Sequence, residues 1–214
     1  MIVDKGFLAN ATIATILINL LSTNQADKTL QEPETITCTF VIDGYCSQNR
    51  MNEAIKVFDK MIWKGWLPSV VNYNILIHEY CKDKRINDAM SLFREMTNNG
   101  MIPNFVTYNI LIGKFCWVGR PNTVLKLLHE MQGIGQHPNV QTYAILLDGL
   151  CKNLHFPEAM ALFQAMKYQK LDLNIVIYNI LIDGTCQVKK LTTVSELFNS
   201  LLTKGFKLMF ELRL

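Results

Sequence analysis

The side chains best suited to chemistry in this sequence are six cysteines, four histidines and a scatter of aspartates. Cysteine can act as nucleophile, disulfide partner or metal ligand, and histidine beside it can hold zinc or move protons. Their spacing argues against each of these. Cys46, Cys81, Cys116, Cys151 and Cys186 fall at intervals of 35 residues, and Asp43, Asp148 and Asp183 keep the same register. A fixed interval of that length marks a column of a structural repeat, not a cluster converging on one centre. Helices stack roughly 8 to 10 Å apart, beyond the Cα separation that a disulfide tolerates, so reduced and buried thiols are expected. His78, His129, His137 and His155 share no metal-ligand spacing, and no C-x-x-C accompanies them, so no metal site is expected. A glycine-rich phosphate loop, a nucleophile elbow and the H-x-E with P-C-x-x-C pair of the zinc deaminases are all absent from the sequence. The chain therefore reads as non-enzymatic, with no catalytic residue and no cofactor.

The elements that carry these columns follow from the same interval. Shifted by 35, the chain aligns with itself as repeats at 35–69, 70–104, 105–139, 140–174 and 175–209. The first half of each repeat holds an apolar stripe at i, i+3, i+4 and i+7, as in Tyr73, Leu76, Ile77 and Tyr80, or Tyr108, Leu111, Ile112 and Phe115. The second half does the same with Ala54, Val57, Phe58 and Met61, or Ala89, Leu92, Phe93 and Met96. This spacing predicts two amphipathic helices per repeat, ten from Thr35 onwards. Asn52, Asn87 and Asn122 stand where the second helix should begin and are expected to cap it. Gly65, Gly100, Gly135 and Gly205 are suited to the left-handed residue after its end, and Pro68, Pro103 and Pro138 prevent its continuation. A lone hairpin cannot cover both stripes, so the hairpins must stack.

Half the residues are hydrophobic and 18% are charged, enough apolar side chain for a sizeable core. The net charge of +3 permits contact with a polyanion without demanding it. No apolar run reaches the roughly 18 residues a membrane-spanning helix needs. The N-terminus, M-I-V-D-K-G-F-L-A-N, has neither a secretory hydrophobic region nor an arginine-rich amphipathic stretch, so no targeting address is visible in it. Residues 1–34 read as truncated repeat remnants and 210–214 as a short tail, with Leu208 where proline is expected. Uncovered stripes at both ends are expected to promote self-association.

The segments V-V-N-Y-N-I-L-I-H-E-Y-C-K, F-V-T-Y-N-I-L-I-G-K-F-C-W and I-V-I-Y-N-I-L-I-D-G-T-C-Q, each followed by an apolar helix, with G-x-x-P after several, resemble the pentatricopeptide repeat. The resemblance extends from Thr35 to about Lys207 and is nearest to the pure-repeat class, in particular its fertility-restorer-like branch in land plants. It implies an all-α solenoid wound as a right-handed superhelix. It also implies sequence-selective binding of single-stranded RNA, one base per repeat, in organelle RNA processing, stability or translation, with a mitochondrion favoured over a chloroplast. A protein-binding helical scaffold and a truncated product without activity are the alternative readings.

Two positions per repeat carry base choice in that family. Here they are the fifth and last residues: Thr39 with Ser69, Asn74 with Asn104, Asn109 with Asn139, Ala144 with Asn174, and Asn179 with Met209. The resemblance implies a core of purine, pyrimidine, pyrimidine, any base, then weakly pyrimidine. The second residues, Ile36, Val71, Val106 and Val176, match the position that packs against base faces, where Gln141 departs from the pattern. Lys82 and Lys152 match a phosphate-contact position that Ser47, Trp117 and Gln187 occupy elsewhere. The column Arg50, Arg85, Arg120, His155 and Lys190 reads as a solvated edge or helix-cap partner.

Overall fold

The computed structural model describes residues 35–187 together with 193, 195–197, 199 and 200. The repeat remnants at 1–34, Lys190, Gly205, Leu208, Met209 and the tail at 210–214 lie outside the described residues. Nine α-helices of 13 residues are defined, and no strand occurs among the described residues. The first helices of successive repeats are α1 (Thr35–Ser47), α3 (Val70–Lys82), α5 (Phe105–Trp117), α7 (Val140–Lys152) and α9 (Ile175–Gln187). The second helices are α2 (Met51–Trp63), α4 (Ile86–Asn98), α6 (Pro121–Gly133) and α8 (Phe156–Tyr168). Residues 193, 195–197, 199 and 200 are helical, in the interval where the sequence predicts a tenth. No helix among the described residues is long and apolar enough to cross a membrane.

The boundary chemistry differs from expectation in one respect. Asn52, Asn87 and Asn122 lie inside the second helices, and the residues preceding those helices are Arg50, Arg85, Arg120 and His155, none of which forms a side-chain cap. The turn that enters each second helix places Asn49, Lys84, Gly119 and Leu154 at φ 57°, 63°, 67° and 61°. That left-handed residue sets where the helix starts, and only one of the four is glycine. Arg50 and Arg85 instead cover the rings of Tyr45 and Tyr80 at 4.8 and 4.7 Å and pair with Glu53 and Asp88. The exits conform better: Gly65, Gly100 and Gly135 take φ 76°, 75° and 78°, while Lys170 fills that position in the fourth repeat at φ 54°.

The chain divides into two compact units between Leu111 and Ile112. In the first, α1 pairs with α2 and α3 with α4, and α3 also packs on α1 and α2. Its core contains Ile42, Phe58, Met61, Tyr73, Leu76, Ile77 and Met96. Each such side chain contributes roughly 1.5 to 3 kcal/mol when fully buried. Phe58 meets Tyr73 edge-on at 5.1 Å and Phe93 meets Tyr108 at 5.7 Å, so a second-helix ring locks onto the next first helix.

In the second unit α7 pairs with α8, and α9 packs on α7 and α8. Leu147, Phe163, Met166, Ile177, Tyr178 and Leu181 form its core, with Phe163 edge-on to Tyr178 at 5.6 Å. Close approach explains the cysteine column here. A side chain at Gly149 would collide with Cys116, and one at Gly184 would meet Cys151 Sγ at 2.5 Å, so glycine lets the first helices touch. Leu128 stands where the other second helices carry phenylalanine, and it lines a cavity of about 440 Å³ with Leu125, Leu146, Leu150 and Leu162. Leu146 is half-buried where its counterparts Leu76, Leu111 and Leu181 are buried, as a missing ring would leave it.

Candidate functional site

Each unit carries a depression lined by first helices and, in the first unit, by the residue that precedes α5. In the first unit it measures about 600 Å³ and gathers Val71, Asn74, Lys82, Asn104 and Val106 with Asp43, His78 and Glu79. Five residues singled out from the sequence for three different roles thus meet on one surface. Ile36, Val71 and Val106 are exposed at 63%, 54% and 39% although they are apolar, and Val176 in the second unit is exposed likewise. An apolar side chain kept in solvent at one register of successive repeats is suited to packing against a flat ligand face. The second depression, about 410 Å³, contains Gln141, Ala144, Lys152 and Val176 with Trp117 and Asp148.

The polar groups around Asn74 are oriented by a chain of bonds whose starting point is the backbone. Asn104 immediately precedes α5, and its Oδ1 accepts the backbone N–H of Thr107 at 3.1 Å. A backbone N–H can only donate, so this fixes which end of the Asn104 amide points inward. Asn74 Nδ2 donates to the same oxygen at 3.4 Å, leaving Asn74 Oδ1 to accept the Thr107 hydroxyl at 2.7 Å. That hydroxyl also accepts the Asn104 backbone N–H at 3.2 Å. Its approach to Asn104 Oδ1 is longer, 3.2 Å, so its single proton goes to Asn74. Beyond these bonds Asn74 retains one amide proton and Asn104 retains two, and the pair offers donors to the depression.

The first repeat has the opposite polarity. Ser69 caps α3: its Oγ accepts the Asn72 N–H at 3.4 Å and donates to Asn72 Oδ1 at 2.8 Å. The Ser69 backbone N–H donates to that oxygen as well, at 2.8 Å. With its oxygen committed, Asn72 turns Nδ2 to Thr39 Oγ1 at 2.8 Å, while the Thr39 hydroxyl donates to the Thr35 carbonyl at 2.9 Å. Both hydroxyl protons are spent locally, so Thr39 and Ser69 present only lone pairs.

In the second unit Asn139 caps α7 by accepting the Thr142 N–H at 2.9 Å, and Asn174 caps α9 by accepting the Ile177 N–H at 3.2 Å. Ile177 has no hydroxyl to return. Ala144, 33 residues before it, has no polar atom to receive one, and packs against the core that contains Ile177. Asn109 is buried to 7% exposure, and Asn179 is exposed. The sequence reading missed Asn72, Thr107 and Thr142, all fully buried polar residues. The signal was present: each stands three residues after a Ser or Asn, which is capping-box spacing.

Both candidate phosphate lysines have carboxylate partners. Lys82 Nζ lies 2.8 Å from Glu79 and 3.2 Å from Asn49 Oδ1, and Lys152 Nζ lies 2.6 Å from Asp148. The hydrogen bond to Glu79 holds the Lys82 ammonium above its ordinary pKa. Burial, then the charge of Glu79, pushes the Asp43 carboxyl up, with His78 opposing. None of the six cysteines forms a disulfide; Cys46, Cys81 and Cys151 are buried, Cys116 is half-buried and, against expectation, Cys186 is exposed. Burial raises Cys46 to about 12 and Cys116 and Cys151 to about 11, so none of these three is a nucleophile at neutral pH.

A model described as the PPR repeat family matches residues 33–71, 68–117 and 103–152, and one described as the PPR repeat matches 141–171 and 176–206. No curated protein matches the chain. Among solved structures, the pentatricopeptide repeat protein PPR10 from maize is 24% identical over 90% of this chain, with a TM-score of 0.66. PPR10 in complex with an 18-nt psaJ RNA element is 23% identical over 88%, with a TM-score of 0.72. The PPR domain of Arabidopsis thaliana protein-only RNase P 1, in complex with tRNA, is 16% identical over 78% of this chain and 88% of its own, with a TM-score of 0.60. At these identities the likeness establishes the fold. The chain spans 29% of the length of PPR10.

Proposed function

The chain belongs to the PPR repeat family, and from that premise we propose that it binds single-stranded RNA through its repeat array, one base per repeat. The observation that carries this reading is the opposite hydrogen-bond polarity of two neighbouring repeats. Thr39 and Ser69 present lone pairs, which suit the exocyclic amine of adenine. Asn74 and Asn104 present amide protons, which suit the ring carbonyls of uracil or cytosine. This agrees with the purine-then-pyrimidine order implied by the family pattern. Val71 and Val106, exposed on the same surface, supply apolar contact to base faces. The fourth repeat, with Ala144, contributes packing without selection.

The affinity is modest. Stacking contributes roughly 1 to 3 kcal/mol per base, so five bases give about 5 to 15, against an association cost of about 4 to 15 kcal/mol or more. Lys82 and Lys152 engage phosphate by exchanging Glu79 and Asp148 for it. The family pattern places the work in an organelle, a mitochondrion in preference, where the RNA would be an organelle transcript.

The test changes Asn74 and Asn109 to Thr together and measures binding to two short strands differing only at the second and third core bases. Thr at 74 can return its proton to the Val70 carbonyl, as Thr39 does to Thr35, and so presents a lone pair where Asn74 presents a proton. The expected result is a change of preference from pyrimidine to purine. Unchanged preference with RNA still bound would show that these asparagines do not read bases. Binding that ignores RNA sequence but captures a protein would favour a scaffold role.

A further inference from the structure

We propose that the third residue of a repeat, as seen at Asn72 and Thr107, is a positioning residue that sets the base preference of the preceding repeat by fixing the hydrogen-bond polarity of its fifth residue. The inference rests on the RNA-reading proposal for its functional consequence, but its structural content stands on the bonds already given. Both contacts span 33 residues and join adjacent repeats: Asn72 Nδ2 to Thr39 Oγ1 at 2.8 Å, and the Thr107 hydroxyl to Asn74 Oδ1 at 2.7 Å.

In each case the cap dictates that the third residue arrives as a donor. Asn72 has spent its oxygen on the Ser69 N–H and hydroxyl, so only its NH₂ faces Thr39. Thr107 accepts the Asn104 N–H, and its hydroxyl lies nearer to Asn74 Oδ1, at 2.7 Å, than to Asn104 Oδ1, at 3.2 Å, so its proton faces Asn74. A donor at this point forces the fifth residue to turn an acceptor inward. An asparagine turns its oxygen in and its NH₂ out; a threonine turns a lone pair in and sends its proton to the preceding helical carbonyl. Without the third residue only the long 3.4 Å bond to Asn104 Oδ1 would hold the Asn74 amide, and its preference would blur. The cap alone does not require this bond, because it is complete once Ser69 or Asn104 and the third residue have exchanged their own contacts. The fourth repeat shows the device dismantled from both sides: Ile177 cannot donate, and Ala144 cannot accept.

The experiment uses the full chain with Thr107→Ser, Thr107→Val and Thr107→Asp. In the free wild-type protein the side-chain NH₂ of Asn74 gives ¹H–¹⁵N signals displaced from those of a solvated asparagine, with a nuclear Overhauser contact to Thr107 and slow solvent exchange. Signals like those of a solvated asparagine would overturn the proposal without any variant or RNA. Thr107→Ser keeps the signals at their shifts, and Thr107→Val moves them to the shifts of a solvated asparagine and speeds exchange. With strands differing at the second core base, wild type and Thr107→Ser prefer pyrimidine by about fivefold, and Thr107→Val loses most of that difference, the worth of one hydrogen bond. Thr107→Asp keeps a cap acceptor and turns the Asn74 amide over, so the preference inverts. If wild type binds no RNA, the RNA reading fails while the Asn74 signals still decide the positioning role. If RNA binds with the expected preference and Thr107→Val retains both preference and signals, the positioning role fails alone.

Discussion

Restoring the missing hydrogen bond of the fourth repeat requires two substitutions, and each is harmful alone. Ala144→Asn places an amide against the core that contains Ile177, which is 0% exposed and whose side chain has no donor. Position 144 is half-buried and lines the second depression, so leaving the amide oxygen there without a donor costs up to about 1 to 3 kcal/mol, the figure for a buried group. Ile177→Thr removes about one methylene-sized group and replaces another with a hydroxyl, costing roughly 1 to 2 kcal/mol at about 0.8 kcal/mol per methylene. That hydroxyl finds the Asn174 backbone N–H, as Thr142 finds that of Asn139 at 3.3 Å, but leaves its proton without the fifth-residue acceptor. Together the substitutions recreate the Asn74 and Thr107 arrangement. The double variant is therefore less destabilised than the sum of the singles, by about 1 to 3 kcal/mol, in the range of coupling between residues in direct contact. Urea denaturation of the four proteins, followed by circular dichroism, gives the cycle. Additivity to within about 0.5 kcal/mol would refute the reasoning, because it is the behaviour of sites that do not touch. The double variant alone gains selection at the fourth core base, favouring pyrimidine by about fivefold, one hydrogen bond's worth.

Three further outcomes concern the charges and the thiols. Glu79→Gln releases Lys82 and removes a negative charge from the first depression; RNA binding tightens at low salt, and the slope of log affinity against log salt steepens by up to about 0.7, one phosphate contact on a single strand. Fluorescence anisotropy from low to physiological salt reads this, and weaker binding of the variant would count against a phosphate role for Lys82. Because burial raises Cys46 to about 12 and Cys116 and Cys151 to about 11 from an ordinary 9.0, the unfolded chain loses thiol protons first. The stability these protonated thiols lend is whole below pH 9.0 and is lost as pH rises through about 11 to 12. Thermal melts across that range should show falling midpoints, while iodoacetamide at pH 8 modifies exposed Cys186 first; preferential labelling of Cys46 would contradict the packing.

The repeat was legible because its signals agree at every level. Apolar stripes, the Gly65, Gly100 and Gly135 exits and the following prolines all recur in one register, and the first helices begin at Thr35, Val70, Phe105, Val140 and Ile175. The start of the second helices was not legible. Asn52, Asn87 and Asn122 are good capping types, but the entry turn is closed by left-handed Asn49, Lys84, Gly119 and Leu154, of which Lys84 and Leu154 do not advertise that conformation. Within the site, single residues were readable and their coupling was not. Asn74 and Thr107 are distant in sequence, and Thr107 looks from the sequence like an ordinary residue in the first turn of a helix. Its role emerges only when stacking brings it to 2.7 Å from the Asn74 oxygen. Ala144 likewise reads as an isolated loss until Ile177 is found in the core beside it.

The central claim is that successive repeats choose bases by opposite hydrogen-bond polarity. The most direct measurement is an equilibrium titration of the wild-type chain with four short single strands, purine or pyrimidine at the first core base combined with purine or pyrimidine at the second. The account predicts tightest binding for purine followed by pyrimidine, weakest for the reverse order, and intermediate values for the other two. Four equal affinities, or tightest binding to pyrimidine followed by purine, would contradict it.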